Sequence, residues 1–250
     1  MWTLYNEDCV VGMKEHIPDG TVDAVITDPP YNIDVADWDN IPRFLDWTKT
    51  WLTEAFQILK PGGACYLFTS QQWAAKIEGC VLGVGFIIRN RPVWVYDNGQ
   101  RQATQGFSMA YEQLFYALKP GENPTFNLDA VRDGVLWTGK RKKRHPNGTV
   151  TITEPHPLGR RPVDVWEVPR LTGAIAPGHP SPKPDRLMEI PLLASTNPGD
   201  LVVDPFAGTG TTLLVAERYG RDSIGFELNP AYCEIIRRRL AAVQQRMEFA

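Results

Sequence analysis

The sequence predicts an α/β fold with a mostly parallel sheet and helices on both faces. Short apolar runs alternate with stretches of helical period toward both ends of the chain, the pattern of strands joined by crossover helices. Two of those runs, Val22–Thr27 and Leu201–Val203, lead into an Asp-Pro pair, so each predicted strand ends at a stiff acidic turn. After the second pair, Gly208-Thr209-Gly210 opens a helix, a strand-turn-helix unit that binds ligands at the carboxyl edge of open sheets. A length of 250 residues suits one domain, 1–250, with an insertion.

The elements follow in order. Val22-Asp23-Ala24-Val25-Ile26-Thr27 reads as a short buried strand. From about Arg43 to Leu59, Phe44, Leu45, Trp47, Trp51, Leu52, Ala55, Phe56 and Leu59 recur at three- and four-residue steps and give a helix one apolar face. Lys60-Pro61-Gly62-Gly63 stops that helix, and Ala64–Phe68 is the next strand. A helix from Gln71 to about Gly79 follows, then strands over Phe86–Tyr96 and Gln113–Leu118. Between residues 119 and 169 periodicity fades and Pro, Gly and charge dominate, which predicts an irregular insertion without its own core. Regular structure returns with a helix over Asp185–Ser195, turning Leu187, Ile190, Leu193 and Ala194 inward. A turn at Asn197-Pro198-Gly199-Asp200, the strand Leu201–Val203, a helix from about Thr211 and a strand over Ser223–Phe226 come next. Asn229 caps a last helix with Pro230 at its first position. Ala231, Ile235, Leu240 and Val243 follow its inner face.

Two motifs carry chemistry. Asp28-Pro29-Pro30-Tyr31 supplies an acceptor carboxylate, a backbone stiffened by two prolines and a flat ring, all at a strand's carboxyl end. An enzyme that holds a flipped-out nucleobase by its exocyclic amino group needs those parts. The second motif is Asp204-Pro205-Phe206-Ala207-Gly208-Thr209-Gly210-Thr211-Thr212. Its glycines let the backbone approach a ligand, and the helix start offers amide donors. Glu227 follows the next strand at a distance suited to ribose hydroxyls. A P-loop would need Gly-Lys-Ser/Thr, but Thr211 follows Gly210. A nicotinamide fingerprint would need a third glycine where Leu213 stands, which disfavours an oxidoreductase. S-adenosylmethionine, with its ribose, carboxylate and sulfonium, is the remaining candidate.

At both motifs the chain resembles the amino-methylating DNA methyltransferases, the N6-adenine / N4-cytosine family. Asn6-Glu7-Asp8-Cys9, His179-Pro180-Ser181-Pro182-Lys183-Pro184 and Gly225-Phe226-Glu227-Leu228-Asn229-Pro230 resemble further motifs of that family, with Glu7 in place of the glycine that often precedes Asp8. Phe107–Glu112 and Asp164-Val165-Trp166 are weaker matches. The catalytic motif comes first and the cofactor motif last, an order similar to the permuted beta class. The resemblance therefore implies a Rossmann-like methyltransferase fold, circularly permuted, with 119–169 as the target-recognition region. It implies catalytic roles for Asp28, Pro29, Pro30 and Tyr31. It implies cofactor contacts from Asp8, Cys9, Ser181, Lys183, Asp204, Phe206, Ala207, Gly208, Gly210, Thr211, Thr212, Glu227 and Leu228, with Lys183 read as facing the cofactor carboxylate and, as the alternative, as a basic residue near a helix start. Asp rather than Ser at position 28 leans toward adenine. The N4 of cytosine is the alternative, and a non-catalytic DNA-binding subunit is the alternative from another class. Double-stranded DNA, a homodimer and a cognate restriction endonuclease are the partners the resemblance implies.

Charge distribution fits such a substrate better than net charge does. The chain carries −3 overall. Between Arg132 and Arg161, eight basic and two acidic residues give +6, which leaves −9 on the rest. The run Lys140, Arg141, Lys142, Lys143 and Arg144 alone reads as a solvated loop; beside a base-holding motif it reads as a phosphate-contacting element. The cysteines Cys9, Cys65, Cys80 and Cys233 form no Cys-x-x-Cys pair or Cys/His cluster, so neither a zinc site nor a disulfide framework is expected. No apolar run approaches a membrane span, and the amino terminus shows no signal-peptide pattern. A reducing cytoplasm fits these features.

Overall fold

The computed structural model describes residues 1–34, 39–96, 107–134, 141–171 and 182–248. In chain order these form β1 (Trp2–Tyr5), α1 (Cys9–His16), β2 (Val22–Thr27), α2 (Phe44–Ile58), β3 (Leu59–Thr69), α3 (Ala74–Val84), β4 (Ile87–Asn90), β5 (Val93–Val95) and β6 (Tyr111–Leu118). They continue with β7 (Arg141–Arg144), β8 (Val150–Thr153), β9 (Val165–Glu167), α4 (Asp185–Ser195), β10 (Leu201–Asp204), α5 (Thr211–Arg218), β11 (Asp222–Phe226) and α6 (Pro230–Glu248). The main sheet runs β1-β11-β10-β2-β3-β6-β5-β9, with β4 also paired to β6. From β1 to β3 every pairing is parallel, and β6 is antiparallel to β3.

Side chains of successive strand residues leave opposite faces of a sheet, and β2 shows the consequence. Val25 packs with α1, α2 and α3 through Met13, Trp51 and Ile77, whereas Ala24 and Ile26 pack with α4 and α5 through Leu187, Met188 and Val215. Two buried faces explain why β2 reads as an almost unbroken apolar run. Helix α6 covers α5 and β1 through Ile236, Leu240 and Val243. The architecture is therefore the helix–sheet–helix arrangement expected.

The differences have local causes. The strand expected over Phe86–Tyr96 is broken into β4 and β5 at Arg91-Pro92, because Pro92 has no N–H for the ladder; its carbonyl still accepts from Leu114 N–H at 2.8 Å. Helix α3 begins later than expected and runs past Gly79 to Gly85, whose φ of +115° suits glycine and ends the helix. The inner face of α6 is Cys233, Ile236, Leu240 and Val243; Ala231 is exposed, since Asn229 caps the helix through the Ala231 N–H and fixes its rotation. In α4 it is Met188 and Leu192 that join Leu187 inside, while Leu193 and Ile190 are half-buried.

The described residues between 119 and 169 hold more regular structure than their sequence suggests. Strand β9 joins the main sheet beside β5, and β7 and β8 form a separate antiparallel ribbon. Lys142, Lys143, Arg144 and every residue of β8 are exposed, so no apolar alternation marks the ribbon in the sequence.

Candidate active site

Strands β2 and β10 are parallel neighbours, with Ala24 opposite Val202 and Val25 opposite Val203. Their carboxyl ends therefore bring Asp28 and Asp204 to one edge. The Thr27 hydroxyl donates to Asp204 Oδ1 at 2.8 Å across 177 residues of chain, and the Phe206 N–H donates to the same oxygen at 3.1 Å. Burial pushes the Asp204 carboxyl up to about 6, against the pull of these donors. Asp204 thus clamps the two turns together. The Phe206 ring packs against Trp47 and Trp51, at centroid distances of 5.4 and 5.2 Å.

One side of the edge is built around Glu227. Its carboxylate accepts from Gly208 N–H at 2.9 Å and from Asn229 N–H at 2.8 Å, one bond to each oxygen. Burial raises its pKa, with the backbone donors working the other way. The Asn6 amide donates to the Glu227 and Leu228 carbonyls at 2.7 and 2.9 Å, which fixes this turn to the end of β1. Asp8 caps α1 by accepting from Val10 and Val11 N–H. Cys9 beside it is buried, and burial drives its thiol pKa upward. The hydroxyls of Thr211 and Thr212 are turned to the Lys183 and Ile26 carbonyls at 3.4 and 3.5 Å.

A cavity of about 630 Å³ runs from the Glu227 turn to the Asp28 turn, within the usual range for small-molecule sites. Asp8, Cys9, Asp28, Pro29, Pro30, Tyr31, Lys183, Asp204, Phe206, Ala207, Gly208, Thr211, Thr212, Glu227 and Leu228 all line it. Gly210 does not. It has a φ of +80°, and a Cβ there would lie 2.9 Å from Ile236 of α6. This glycine permits a left-handed turn and close helix packing. Ser181 and Lys140 lie outside the described residues.

At the other end the charges are densely paired. Lys183 Nζ lies 2.6 Å from Asp28 Oδ2 and 3.2 Å from Glu112 Oε2. The Tyr31 hydroxyl lies 2.5 Å from Asp28 Oδ1 and 3.1 Å from Glu112 Oε2. Arg170 donates to Glu112 Oε1 at 3.0 Å and stacks over the Tyr96 ring at 3.6 Å. Burial lifts Asp28 above the usual carboxylate range despite the adjacent ammonium, and Glu112 adds to the rise. Burial would also lift Glu112, but Lys183, Arg170 and Tyr31 hold it below its usual value. Burial would lower Lys183, yet the two carboxylates keep it above its usual value and so protonated. Lys183, expected to face a cofactor carboxylate, is turned instead toward Asp28 and Glu112.

Glu112 ends a stretch, Phe107–Glu112, that matched a family motif only weakly and carried no role, and Arg170 was not foreseen. Besides that match, the signal for Glu112 was one acid in a strand of otherwise apolar and neutral residues; Arg170 gave none. Nor was Asp39 foreseen, which is fully buried and accepts from the Asn32 and Ile33 N–H groups at 2.7 and 2.9 Å to hold the loop after Tyr31. Within the basic segment, Arg132 and Arg160 pair with Asp129 and Asp133.

A DNA methylase family profile, that of the N6/N4 methylases, matches residues 22–238. The chain belongs to this family. As an N6/N4 DNA methylase it is similar to the DNA adenine methyltransferase YhdJ of Escherichia coli (strain K12), 34% identical over 95% of this chain and 82% of that protein. It is 32% identical to the type II methyltransferase M1.MboII of Moraxella bovis, over 87% of this chain and 88% of that one. Among solved structures, the cytosine-N4-specific PvuII DNA methyltransferase superposes with a TM-score of 0.75 at 20% identity, covering 95% of this chain and 87% of its own. M1.HpyAVI in complex with SAM gives 0.65 at 24% identity, covering 96% and 100%. These two establish the likeness of fold. The methylase's sheet, mostly parallel with helices on both faces, is the one the motif resemblance implied.

Proposed function

We propose that the chain uses S-adenosylmethionine to methylate the exocyclic N6 of an adenine flipped out of a specific double-stranded DNA sequence. The observation that carries this reading is the single cavity joining Glu227 to Asp28. The fit to the methyl donor rests on Glu227, whose two oxygens are oriented by backbone N–H groups and remain acceptors toward ribose hydroxyls. Asp8, Cys9, Phe206, Ala207, Gly208 and Leu228 line the same end and would hold the donor's nucleoside part; Ser181, Asp204, Thr211 and Thr212 belong to the donor set inferred from the motifs. When bound, the donor supplies an electrophilic methyl group on a sulfonium.

The protein's own part is positioning. The amino nitrogen of adenine is a poor nucleophile because its lone pair is delocalised into the ring. Asp28 and the Pro29 carbonyl would each accept one amino hydrogen, drawing the nitrogen toward tetrahedral geometry and freeing the lone pair in line with the methyl group. Such acceleration is electrostatic and orientational. Pro30 stiffens the turn, and Tyr31 would stack on the base, a contact worth roughly 1–3 kcal/mol. The ribbon residues Arg141, Lys142, Lys143 and Arg144, with Lys140 before them, would contact phosphates, with 119–169 as the recognition region. The relative named a DNA adenine methyltransferase supports adenine.

The test separates chemistry from binding. Asp28→Ala should lower single-turnover transfer of labelled methyl to duplex DNA by about 10³-fold, the scale of losing a key electrostatic contact. Its affinity for the donor should stay within a few-fold of wild type. Loss of donor binding with an unaltered transfer step would refute this division of roles.

A further inference from the structure

Glu112 lies on β6, a strand whose other residues are apolar or neutral, and its side chain is only 12% exposed. Burying a carboxylate is costly unless it is paired. Glu112 is paired twice, to Lys183 through Oε2 and to Arg170 through Oε1, and the Tyr31 hydroxyl adds a third contact. Its links to the Asp28 turn run through Lys183 and Tyr31. We propose, on the reading of Asp28 given above, that Glu112 is a positioning residue for Asp28 and that Arg170 ties this control to the recognition insertion.

The geometry explains how. Two carboxylates and two cations meet here, so the set is neutral. Lys183, with its side chain 4% exposed, is shared between Asp28 and Glu112. Without Glu112 its ammonium would fall wholly to Asp28 and compete with an incoming amino group for the same oxygens. Sharing leaves Asp28 with one partner on each oxygen, Lys183 on Oδ2 and the Tyr31 hydroxyl on Oδ1, and so with a lone pair on each still able to accept from a base. Arg170 neutralises the far side of Glu112 and so limits how much of Lys183 that acid draws. Arg170 follows β9, the strand that the insertion adds to the sheet, and its guanidinium is seated on Tyr96 and hydrogen-bonded to Glu112.

The titration of Asp28 reads this network directly. The groups that face it are Lys183 before α4, Glu112 on β6, Tyr31 on its own turn and Asp204 at the end of β10, with Arg170 acting through Glu112. Removing the like charge in Glu112→Gln should move the Asp28 titration to lower pH; removing its counter-cation in Arg170→Met should move it to higher pH. The measurement is carboxyl ¹³C NMR on aspartate-labelled full-length protein, with Asp28→Asn assigning the signal. It is paired with kcat against pH. Glu112→Gln should also lose kcat on the order of tenfold to a hundredfold, the scale of misplaced catalytic groups, with donor affinity within twofold of wild type. Glu112→Asp, which keeps the charge, should restore part of kcat and return the titration toward wild type. Opposite shifts in the two variants support the proposal. Unmoved titrations, or shifts in the same direction, overturn it. Should Glu112→Gln fail to fold, Glu112→Asp and Arg170→Met carry the same comparison. A wild-type protein without methyl transfer would sink the proposed function, yet the NMR shifts would still decide this point.

Discussion

Replacing Glu227 by Gln is a sharper probe than its size suggests. Each Glu227 oxygen accepts one backbone N–H, from Gly208 at 2.9 Å and from Asn229 at 2.8 Å. A glutamine has one acceptor oxygen. Whichever way its amide turns, the NH₂ faces one of those two N–H groups, donor against donor. The side chain must swing out of place, so the acceptors proposed for the donor's ribose are lost together. A hydrogen bond to a charged group contributes about 1.5–3 kcal/mol. Two such bonds, discounted because the cavity opens to water, amount to about 3 kcal/mol, or more than a hundredfold in Kd. The abandoned N–H also costs roughly 1–3 kcal/mol of stability, a fall of several degrees in Tm for a chain of this length. Calorimetric titration with S-adenosylmethionine should place Glu227→Gln close to Glu227→Ala and far from wild type. Binding by Glu227→Gln within twofold of wild type would refute the ribose assignment.

Other perturbations test separate links. Asp204 has its folded pKa raised to about 6, above its unfolded value, so its contribution to stability is complete below about pH 4 and is lost as pH rises through about 6. Asp204→Asn should therefore gain in Tm over wild type at pH 8, by a few degrees, and the gain should vanish below pH 4; an equal offset at both pH values would contradict the burial argument. Gly210→Ala forces φ +80° on a residue with a Cβ and drives that Cβ to within 2.9 Å of Ile236, so melting should show a loss of at least about 1–2 kcal/mol; an unchanged Tm would show that the turn does not need glycine. Neutralising Lys142, Lys143 and Arg144 to Gln should weaken DNA binding alike on all sequences and flatten its salt dependence by about 0.9 per lost phosphate contact; an unchanged salt slope would remove the ribbon from the interface.

What the sequence disclosed depended on how local each signal was. Strands β2 and β10 were legible because burial on both faces leaves an apolar run, and each ends at an Asp-Pro turn. Helix α4 was legible to its bounds. The two motifs were legible as separate turns at strand ends, but their union is a matter of register, Val25 beside Val203, which no local pattern states. Glu112 and Arg170 were not legible as a pair, because they lie 58 residues apart and meet only when β6 and β9 flank β5. The ribbon β7–β8 escaped notice because both its faces are wet. The packing role of Gly210 was not legible, since a glycine near a ligand loop and a glycine against a helix look alike until the neighbour is seen.

The central claim is amino-group methylation of DNA, with adenine as the base. Labelled S-adenosylmethionine incubated with the protein and unmethylated genomic DNA, followed by digestion to nucleosides and separation, tests it most directly. Label should appear in N6-methyladenine. Label in N4-methylcytosine would keep the mechanism at Asp28 and overturn the choice of base. Donor binding without any labelled nucleoside would contradict the claim itself.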